Sequence, residues 1–182
     1  MDVQHDGFKV VQSRDGDIPA VAAVHLATRR HAYAGLLPAS VLERMSVDSL
    51  RRWWASRLRS APHPHAMLVG ITDPQRRDVA GFVHAGPGQE VGVGEIYAIH
   101  VHPNNQGRGY GRRLLTAAMR ELAEYGHKRG RLWVLEGNLP AQGFYRRLGW
   151  VPVEGARRID EIEGAAVSEL AFDCDLRPAA GS

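Results

Sequence analysis

The 182-residue sequence predicts one domain of the α/β or α+β class, built around a mixed sheet. The length suits a single hydrophobic core, and 44% hydrophobic with 24% charged residues is ordinary for a globular domain. Segments with strand and helix patterns follow in the order strand, two helices, three strands, helix, strand, helix and two strands. No linker or change of composition divides the chain, so residues 1–182 are predicted to form one unit.

The N-terminal third predicts one short strand and two helical regions. Residues 8–12 are rich in β-branched and apolar side chains and end in the polar "SRDGD". A helix is expected from Asp17, because an acidic residue and then a proline precede apolar residues spaced three and four apart. A second helical region is expected over residues 40–59, with a break near Ser46.

The remaining elements alternate more regularly. Strands are predicted over residues 66–72, 79–86 and 95–101, separated by the turn "DPQRRD" and the glycine-rich "GPGQEVGVG". A strong helix is predicted from Tyr110 to Tyr125, because four apolar residues share one face of it: Leu114, Leu115, Ala118 and Leu122. The C-terminal part then predicts a strand, a helix and two strands, over 131–136, 140–148, 149–153 and 167–176.

The overall composition excludes several classes of protein. Cys174 is the one cysteine, so no internal disulfide forms, and a cytoplasmic location is expected. There is no cysteine cluster and no H-E-x-x-H pair, so no metal is expected. No apolar run is long enough to span a membrane, and the first residues lack the plan of a signal peptide.

The positive charge has an unusual origin. The formal net charge is +3, and of 23 basic residues only Lys9 and Lys128 are lysine. Such a preference for arginine reflects either codon usage or the recognition of phosphate and carboxylate groups. The sequence lacks a helix-turn-helix signature, a zinc finger and an aromatic RNA-recognition motif, so nucleic-acid binding is disfavoured.

The segment "VHPNNQGRGYGRRLL", residues 101–115, carries glycine at three alternate positions just before a predicted helix. A strand, a glycine-rich loop and a helix N-terminus together form a site for anions, because unbonded N–H groups point outward there. The dinucleotide fingerprint G-x-G-x-x-G fails because position 112 is arginine, and no Gly-Lys pair exists for a nucleotide P-loop. A pyrophosphate group remains as the expected ligand.

These residues resemble the GNAT family of N-acetyltransferases. "QGRGYG", residues 106–111, is similar to the family's acyl-CoA pyrophosphate loop, Q/R-x-x-G-x-G/A. "GEIYAIHVHP" resembles its fourth strand, "LWVLEGNLPAQGFYRRLGW" its fifth strand and next helix, and "HAYAGLLP" a segment of one broad branch. The resemblance covers nearly the whole chain. It implies a mostly antiparallel central sheet of about seven strands, and acetyl-CoA as the acyl donor without a metal.

The resemblance also implies which residues hold the cofactor. The backbone of residues 99–101 would pair with the pantetheine arm, and the N–H groups of residues 107–111 would hold the pyrophosphate. Arg108 and Arg112 are either phosphate ligands or solvated side chains, and Asn138 either contacts the cofactor or only forms a turn. The implied cofactor-binding residues are Ile99, His100, Val101, Gln106, Gly107, Arg108, Gly109, Tyr110, Gly111, Arg112 and Asn138.

Two residues are implied to be catalytic. Tyr145 lies seven residues after Asn138, where the family places a tyrosine that protonates the departing CoA thiolate; otherwise it packs in the core. Glu95 lies eleven residues before Gln106, where histone acetyltransferases of the family carry a general base; otherwise it is a solvent-facing carboxylate. A histidine or a chain of water molecules is the alternative base.

The acceptor site is less well marked. Tyr33 and His31 precede the "GLLP" turn, where the family binds its acceptor. Trp53 and Trp54 are adjacent on a helix, so one is expected in the core and the other in a substrate pocket, with Trp54 as the candidate.

Three hypotheses of function follow from these residues. The first is an acetyl-CoA-dependent N-acetyltransferase that acts directly on a primary amine, of a small molecule or of a protein. The second is a non-catalytic acyl-CoA-binding regulatory module, and the third is an arginine-rich nucleic-acid binder. The resemblance leaves both a monomer and a homodimer open.

Overall fold

The computed structural model describes residues 7–176, in which seven strands form one sheet with helices on both faces. The strands are β1 (Lys9–Gln12), β2 (Ala66–Ile71), β3 (Val79–Pro87), β4 (Val93–Val101), β5 (Arg129–Leu135), β6 (Val151–Ile162) and β7 (Ala165–Asp175). They lie in the order β1-β2-β3-β4-β5-β7-β6. Within the described residues, β4 and β5 pair in parallel and every other neighbouring pair is antiparallel. The predicted class and the mixed, mostly antiparallel sheet are confirmed.

The helices form two layers, one on each face of the sheet. They are α1 (Ile18–Ala32), α2 (Ala39–Arg44), α3 (Val47–Ser60), α4 (Tyr110–Glu124) and α5 (Leu139–Arg147). Apolar side chains of α1, α2 and α3 form one buried cluster, and those of α4 and α5 belong to a second. The break predicted near Ser46 is confirmed: Ser46 caps α3 by accepting a hydrogen bond from the Ser49 N–H.

The C-terminal hairpin is longer than predicted. β6 extends to Ile162, where a strand over 149–153 was expected, and it turns into β7 through Glu163 and Gly164. Both turn residues have positive φ, 49° and 81°, as a two-residue hairpin of type I′ requires. The expected signal for such a turn is Asn-Gly or Asp-Gly, and glutamate in the first position conceals it.

Strand β4 contains a bulge at Tyr97. Ile96 pairs with Ala85 and Ala98 with His84, so Tyr97 has no counterpart on β3. Tyr97 and Ala98 therefore both face the side of the sheet covered by α1 and α3, while Ile96 and Ile99 belong to the cluster under α4.

The parallel pairing of β4 with β5 stops at the same level. It runs from Val93 opposite Arg129 to Ile96 opposite Leu132, although both strands continue. Beyond Ile96 the two strands diverge, and a cleft opens in the middle of the sheet.

Candidate active site

A cavity of about 660 Å³ fills the cleft between the diverging ends of β4 and β5. We call it the central cavity. Its walls come from α1, α3, β4, α4, β5, α5 and the β6–β7 hairpin, so it reaches both faces of the sheet. The volume is typical of a site for a small molecule or a cofactor.

The loop at residues 106–111, the glycine loop, lies at one end of this cavity. Gly107 and Gly109 have φ of 76° and 80°, which side chains other than glycine rarely adopt. Gly111 has a different reason: a Cβ atom there would approach the Phe144 ring to 3.3 Å. The three glycines thus serve two turns of the backbone and one close contact between helices.

The backbone of the glycine loop offers unbonded donors. The N–H groups of Gly107, Arg108, Gly109, Gly111 and Arg112 donate no hydrogen bond within residues 7–176. They precede or begin α4, where the helix dipole favours negative charge. This arrangement can bind a phosphate group.

The edge of β4 that faces β5 leads from the glycine loop into the cavity. The N–H of His102 bonds to Ala80 of β3, so alternation turns the peptide groups of Ile99 and Val101 toward β5. The β5 ladder has already ended there, although the Val101 carbonyl accepts from Gln106 Nε2 at 3.1 Å and lies 3.2 Å from Thr28 Oγ1. The open edge can pair with an extended, amide-containing ligand.

The other predicted cofactor residues divide between the cavity and its surroundings. Arg112 lines the cavity, whereas Arg108 is exposed outside its wall. Tyr110 borders the cavity and stacks on Phe8 with ring centroids 3.9 Å apart. Asn138 caps α5 by accepting a hydrogen bond from the Ala141 N–H at its Oδ1, and the residue also lines the cavity.

Tyr145 projects from α5 into the central cavity and is 8% exposed. Its hydroxyl group has no hydrogen-bond partner within residues 7–176, which disfavours a purely structural role. Burial raises the pKa of this hydroxyl, and the nearby Tyr33 acts in the same direction. Tyr145 therefore stays protonated at neutral pH.

Glu95 lies beside the cavity rather than in its wall. It faces the α3 side of β4, and its carboxylate is 3.7 Å from the Arg158 guanidinium. Arg158 does line the cavity and packs over the Trp133 ring, with 4.5 Å between the guanidinium carbon and the ring centroid. Burial raises the pKa of Glu95, and Arg158 opposes this effect.

As expected, one tryptophan of the pair is in the core and the other lines the cavity, but Trp53 and not Trp54 is the cavity residue. Trp54 is fully buried and donates a hydrogen bond to His25, so it does not line the cavity. Trp53 lines the cavity and is 49% exposed. This corrects the choice of Trp54, because α3 turns that position toward the sheet. Tyr33 and His31 both line the cavity.

Among the histidines that could serve as the alternative base, the surroundings differ. His100 lines the cavity, and burial lowers its pKa to about 3. The Nε2 atom of His84 is 3.2 Å from the Nδ1 atom of His65. Burial lowers the pKa of His84 to about 3 as well. His63 packs against His65, and His102 accepts a hydrogen bond from the Asn104 N–H. In residues 7–176 no three His, Cys, Asp or Glu side chains are placed to hold a metal ion.

Five charged residues of the cavity were not predicted: Arg29, Arg147, Arg158, Asp160 and Glu169. Glu169 is buried and accepts a hydrogen bond from Arg158 Nε at 2.7 Å. The sequence contained a signal for this residue. Glu169 lies two residues from both Val167 and Ala171, so it shares their buried face of β7. A charge on the buried face of a strand indicates a partner or a site.

Comparison with known proteins identifies the family. The model of the acetyltransferase (GNAT) family matches residues 24–150, well over half of the chain. The protein belongs to the GNAT acetyltransferase family. The resemblance noted in the glycine loop is thereby confirmed, as is the predicted enzyme class.

Curated relatives agree with this assignment. The uncharacterized N-acetyltransferase YuaI of Bacillus subtilis is 29% identical over 157 residues, which cover 85% of each chain. The mycothiol acetyltransferase of Kocuria rhizophila is 35% identical over 91 residues, 48% of this chain and 30% of that enzyme. The chain thus spans about three tenths of that longer relative.

Solved GNAT structures share the fold. The PaiA N-acetyltransferase of Thermoplasma acidophilum, in complex with coenzyme A, superposes with a TM-score of 0.70 at 15% identity, covering 92% of this chain and 98% of that one. YncA of Salmonella typhimurium, with its cofactor acetyl-CoA, gives a TM-score of 0.64 at 18% identity, covering 96% and 97%. These likenesses show the same fold and agree with the family assignment.

Proposed function

We propose that this GNAT protein transfers the acetyl group of acetyl-CoA directly to a primary amine of a small molecule or a protein. One observation carries the proposal. The unbonded N–H groups of the glycine loop and the unpartnered hydroxyl of Tyr145 border the same cavity. A phosphate-binding end and a proton donor therefore share one cleft.

Residues of the cleft would hold acetyl-CoA in two ways. The glycine loop would bind the pyrophosphate through its N–H groups, with Arg112 adding charge. The open edge of β4 at Ile99 and Val101 would pair with the amide groups of the pantetheine arm. The acetyl group that the donor supplies would then lie deeper in the cavity, on the side of Tyr145.

The chemistry needs a neutral amine and a proton for the leaving group. The amine nitrogen attacks the thioester carbonyl, the carbon–sulfur bond breaks, and the electron pair stays on sulfur. The Tyr145 hydroxyl donates its proton to that sulfur. A general base then returns the tyrosine to its protonated state by way of solvent, after it has accepted the proton that the amine loses.

Glu95 stays the proposed base, directly or through water. The Arg158 guanidinium lies 3.7 Å from its carboxylate and lines the cavity itself, so direct contact with an amine requires Arg158 to turn away. Water-mediated transfer avoids that movement. Glu169, which lines the cavity and pairs with Arg158, is the second candidate for the base.

The test is the release of free thiol from acetyl-CoA in the presence of a panel of amines: amino acids, polyamines, aminoglycosides and peptides with free N-termini. Amine-dependent release is expected for at least one class. CoA binding without release for any amine would favour the non-catalytic regulatory module. The cytoplasmic location and a homodimer stay predictions; in residues 7–176, no helix is long and apolar enough to cross a membrane.

A further inference from the structure

His25 of α1 carries a buried hydrogen-bond donor that nothing in the described chain uses. The residue is 2% exposed, and its Nδ1 accepts a hydrogen bond from the Trp54 indole N–H at 3.0 Å. Burial lowers the pKa of His25 far below its usual value, so the ring is neutral and its one proton is on Nε2. This Nε2–H has no partner within residues 7–176, and His25 lines the central cavity. Leaving such a donor unsatisfied costs about 1–3 kcal/mol, so a ligand that accepts its proton would be favoured.

Arg29 carries a second unused donor, one helical turn further along α1. Its Nε atom is buried and has no partner within the described residues, and the side chain lines the same cavity. Arg29 also forms no ion pair in this part of the chain, unlike Arg158, which pairs with Glu169. A guanidinium has donors only, so its complement is an anion.

The acidic side of the cavity lies close to Arg29. Burial raises the pKa of Tyr33, the carboxylates of Glu169 and Asp160 act in the same direction, and Arg29 opposes them. All three charged groups are therefore near the Tyr33 hydroxyl. Asp160 lines the cavity and, within residues 7–176, forms no ion pair. Near Tyr33 the cavity thus presents a cation, Arg29, and an anion, Asp160, neither of which forms an ion pair within residues 7–176; the other such cations in its wall are Arg112 and Arg147.

These groups lie on the acceptor side of the reaction centre. α1 covers the face of the sheet opposite to α4, whose N-terminus carries the glycine loop. Tyr33 is also near Tyr145, since it affects the pKa of that residue. A molecule that bridges Arg29 and Asp160 would lie in the same cavity as the Tyr145 hydroxyl.

We propose that the acceptor is a free amino acid, with its carboxylate bound by the Arg29 guanidinium and the Nε2–H of His25, and its amine directed toward Asp160. This inference rests on the proposed acetyl transfer, and it narrows the acceptor from any primary amine to one that carries a neighbouring carboxylate.

The first experiment compares amino acids with their carboxamides, which keep the amine and the side chain and lose the carboxylate charge. Thiol release from acetyl-CoA is measured with each of the common amino acids and with the carboxamide of the most active one. We expect kcat/KM to be at least about tenfold higher for the acid, since a hydrogen bond to a charged group exceeds a neutral one by about 1.4 kcal/mol. Equal rates for acid and amide would mean that the two donors serve only water, and would overturn the inference.

Arg29→Gln tests the contact itself. The variant should raise KM for the amino acid at least tenfold and leave the carboxamide unaffected, so that the preference for the acid disappears. Arg30→Gln is the matched control, because Arg30 is exposed and donates to the Met45 carbonyl outside the cavity. A tenfold loss of CoA affinity in Arg29→Gln, measured by calorimetry, would assign Arg29 to the cofactor instead and overturn the inference.

A binding measurement separates this inference from the proposed function and needs no variant. Wild-type protein saturated with CoA is titrated with N-acetyl amino acids and with their carboxamides. At least one acid is expected to bind ten times more tightly than its amide, even if no turnover is detected. Turnover with amines that lack a carboxylate, together with no selective binding of the acids, would leave the acetyltransferase proposal standing and refute the amino-acid acceptor.

Discussion

Replacing Tyr145 with phenylalanine removes one hydroxyl group and keeps the ring in place. The ring packs between Phe144, Trp150 and Phe172, with centroid distances of 5.2, 6.3 and 6.3 Å, and none of these contacts involves the oxygen. If the hydroxyl protonates the departing thiolate, turnover should fall at least about tenfold, which is 1.4 kcal/mol of transition-state stabilisation. CoA affinity should be unchanged.

The thermal stability of Tyr145→Phe should not fall with its turnover. The Tyr145 hydroxyl has no partner within residues 7–176, so phenylalanine loses no hydrogen bond there. Removing a buried, unpartnered hydroxyl is neutral or stabilises the fold by up to about 1 kcal/mol. For a chain of this length that is a rise in Tm of at most about 2–4 °C.

The assay measures thiol release at saturating acetyl-CoA and thermal unfolding on the same samples. Tyr125→Phe is the control, because the Tyr125 hydroxyl donates to Glu121 at 3.1 Å on α4 outside the cavity. It should lower Tm slightly and leave turnover intact. Full turnover in Tyr145→Phe would remove the residue from the mechanism, and a clear drop in its Tm would assign the hydroxyl a structural role.

Three further predictions use other parts of the molecule. Gly109→Asp should abolish CoA binding in calorimetry while Gly109→Asn weakens it less, because both side chains tolerate positive φ and only aspartate repels phosphate; equal affinities for the two variants would refute the loop assignment. Glu95→Gln should lower turnover by about 10²–10⁴ and remove the acidic limb of the pH–rate profile, and wild-type rates across that range would reject Glu95 as the base. Asp17→Asn should lower Tm at neutral pH, since Arg77 bonds both carboxylate oxygens and lowers the pKa of Asp17. That contribution is present above the pKa of the unfolded carboxyl group and is lost as pH falls through the lower folded value, so the two Tm curves should converge in acid; a gap that stays constant to pH 2 would contradict the linkage.

The elements around the glycine loop were predictable because their signals are local. Stretches of about fifteen residues are enough to recognise the glycine loop, the helix from Tyr110 and the strand before it. Their signals are closely spaced glycines, two of which have positive φ, and a regular apolar period. The Ser46 cap is local in the same way. Long-range pairing plays little part in such signals, so the sequence is enough.

The charged residues of the cavity near Tyr33 were not predictable, because their arrangement depends on long-range contacts. Arg29, Asp160 and Glu169 come from three separate elements, and only the tertiary fold brings them to one cavity. The choice between Trp53 and Trp54 depends on the rotation of α3 about its axis, which one pair of adjacent residues does not fix. For Glu95, the sequence predicted its position on β4. It did not predict the neighbouring Arg158 side chain, which lines the cavity in its place.

The bulge at Tyr97 makes the length of β4 as important as its composition. Up to Ile96 the strand turns its even-numbered residues toward α4, and after Ala98 it turns its odd-numbered residues there. Deleting Tyr97 would only remove the bulge, whereas inserting one residue between Ala98 and His100 would send His100 into the apolar cluster under α4 and Val101 toward α1, and would reverse the peptide groups that face the cleft. The strand can therefore lose its bulge residue and keep both walls of the cavity, yet the gain of a single residue beyond Ala98 would disrupt both walls at once.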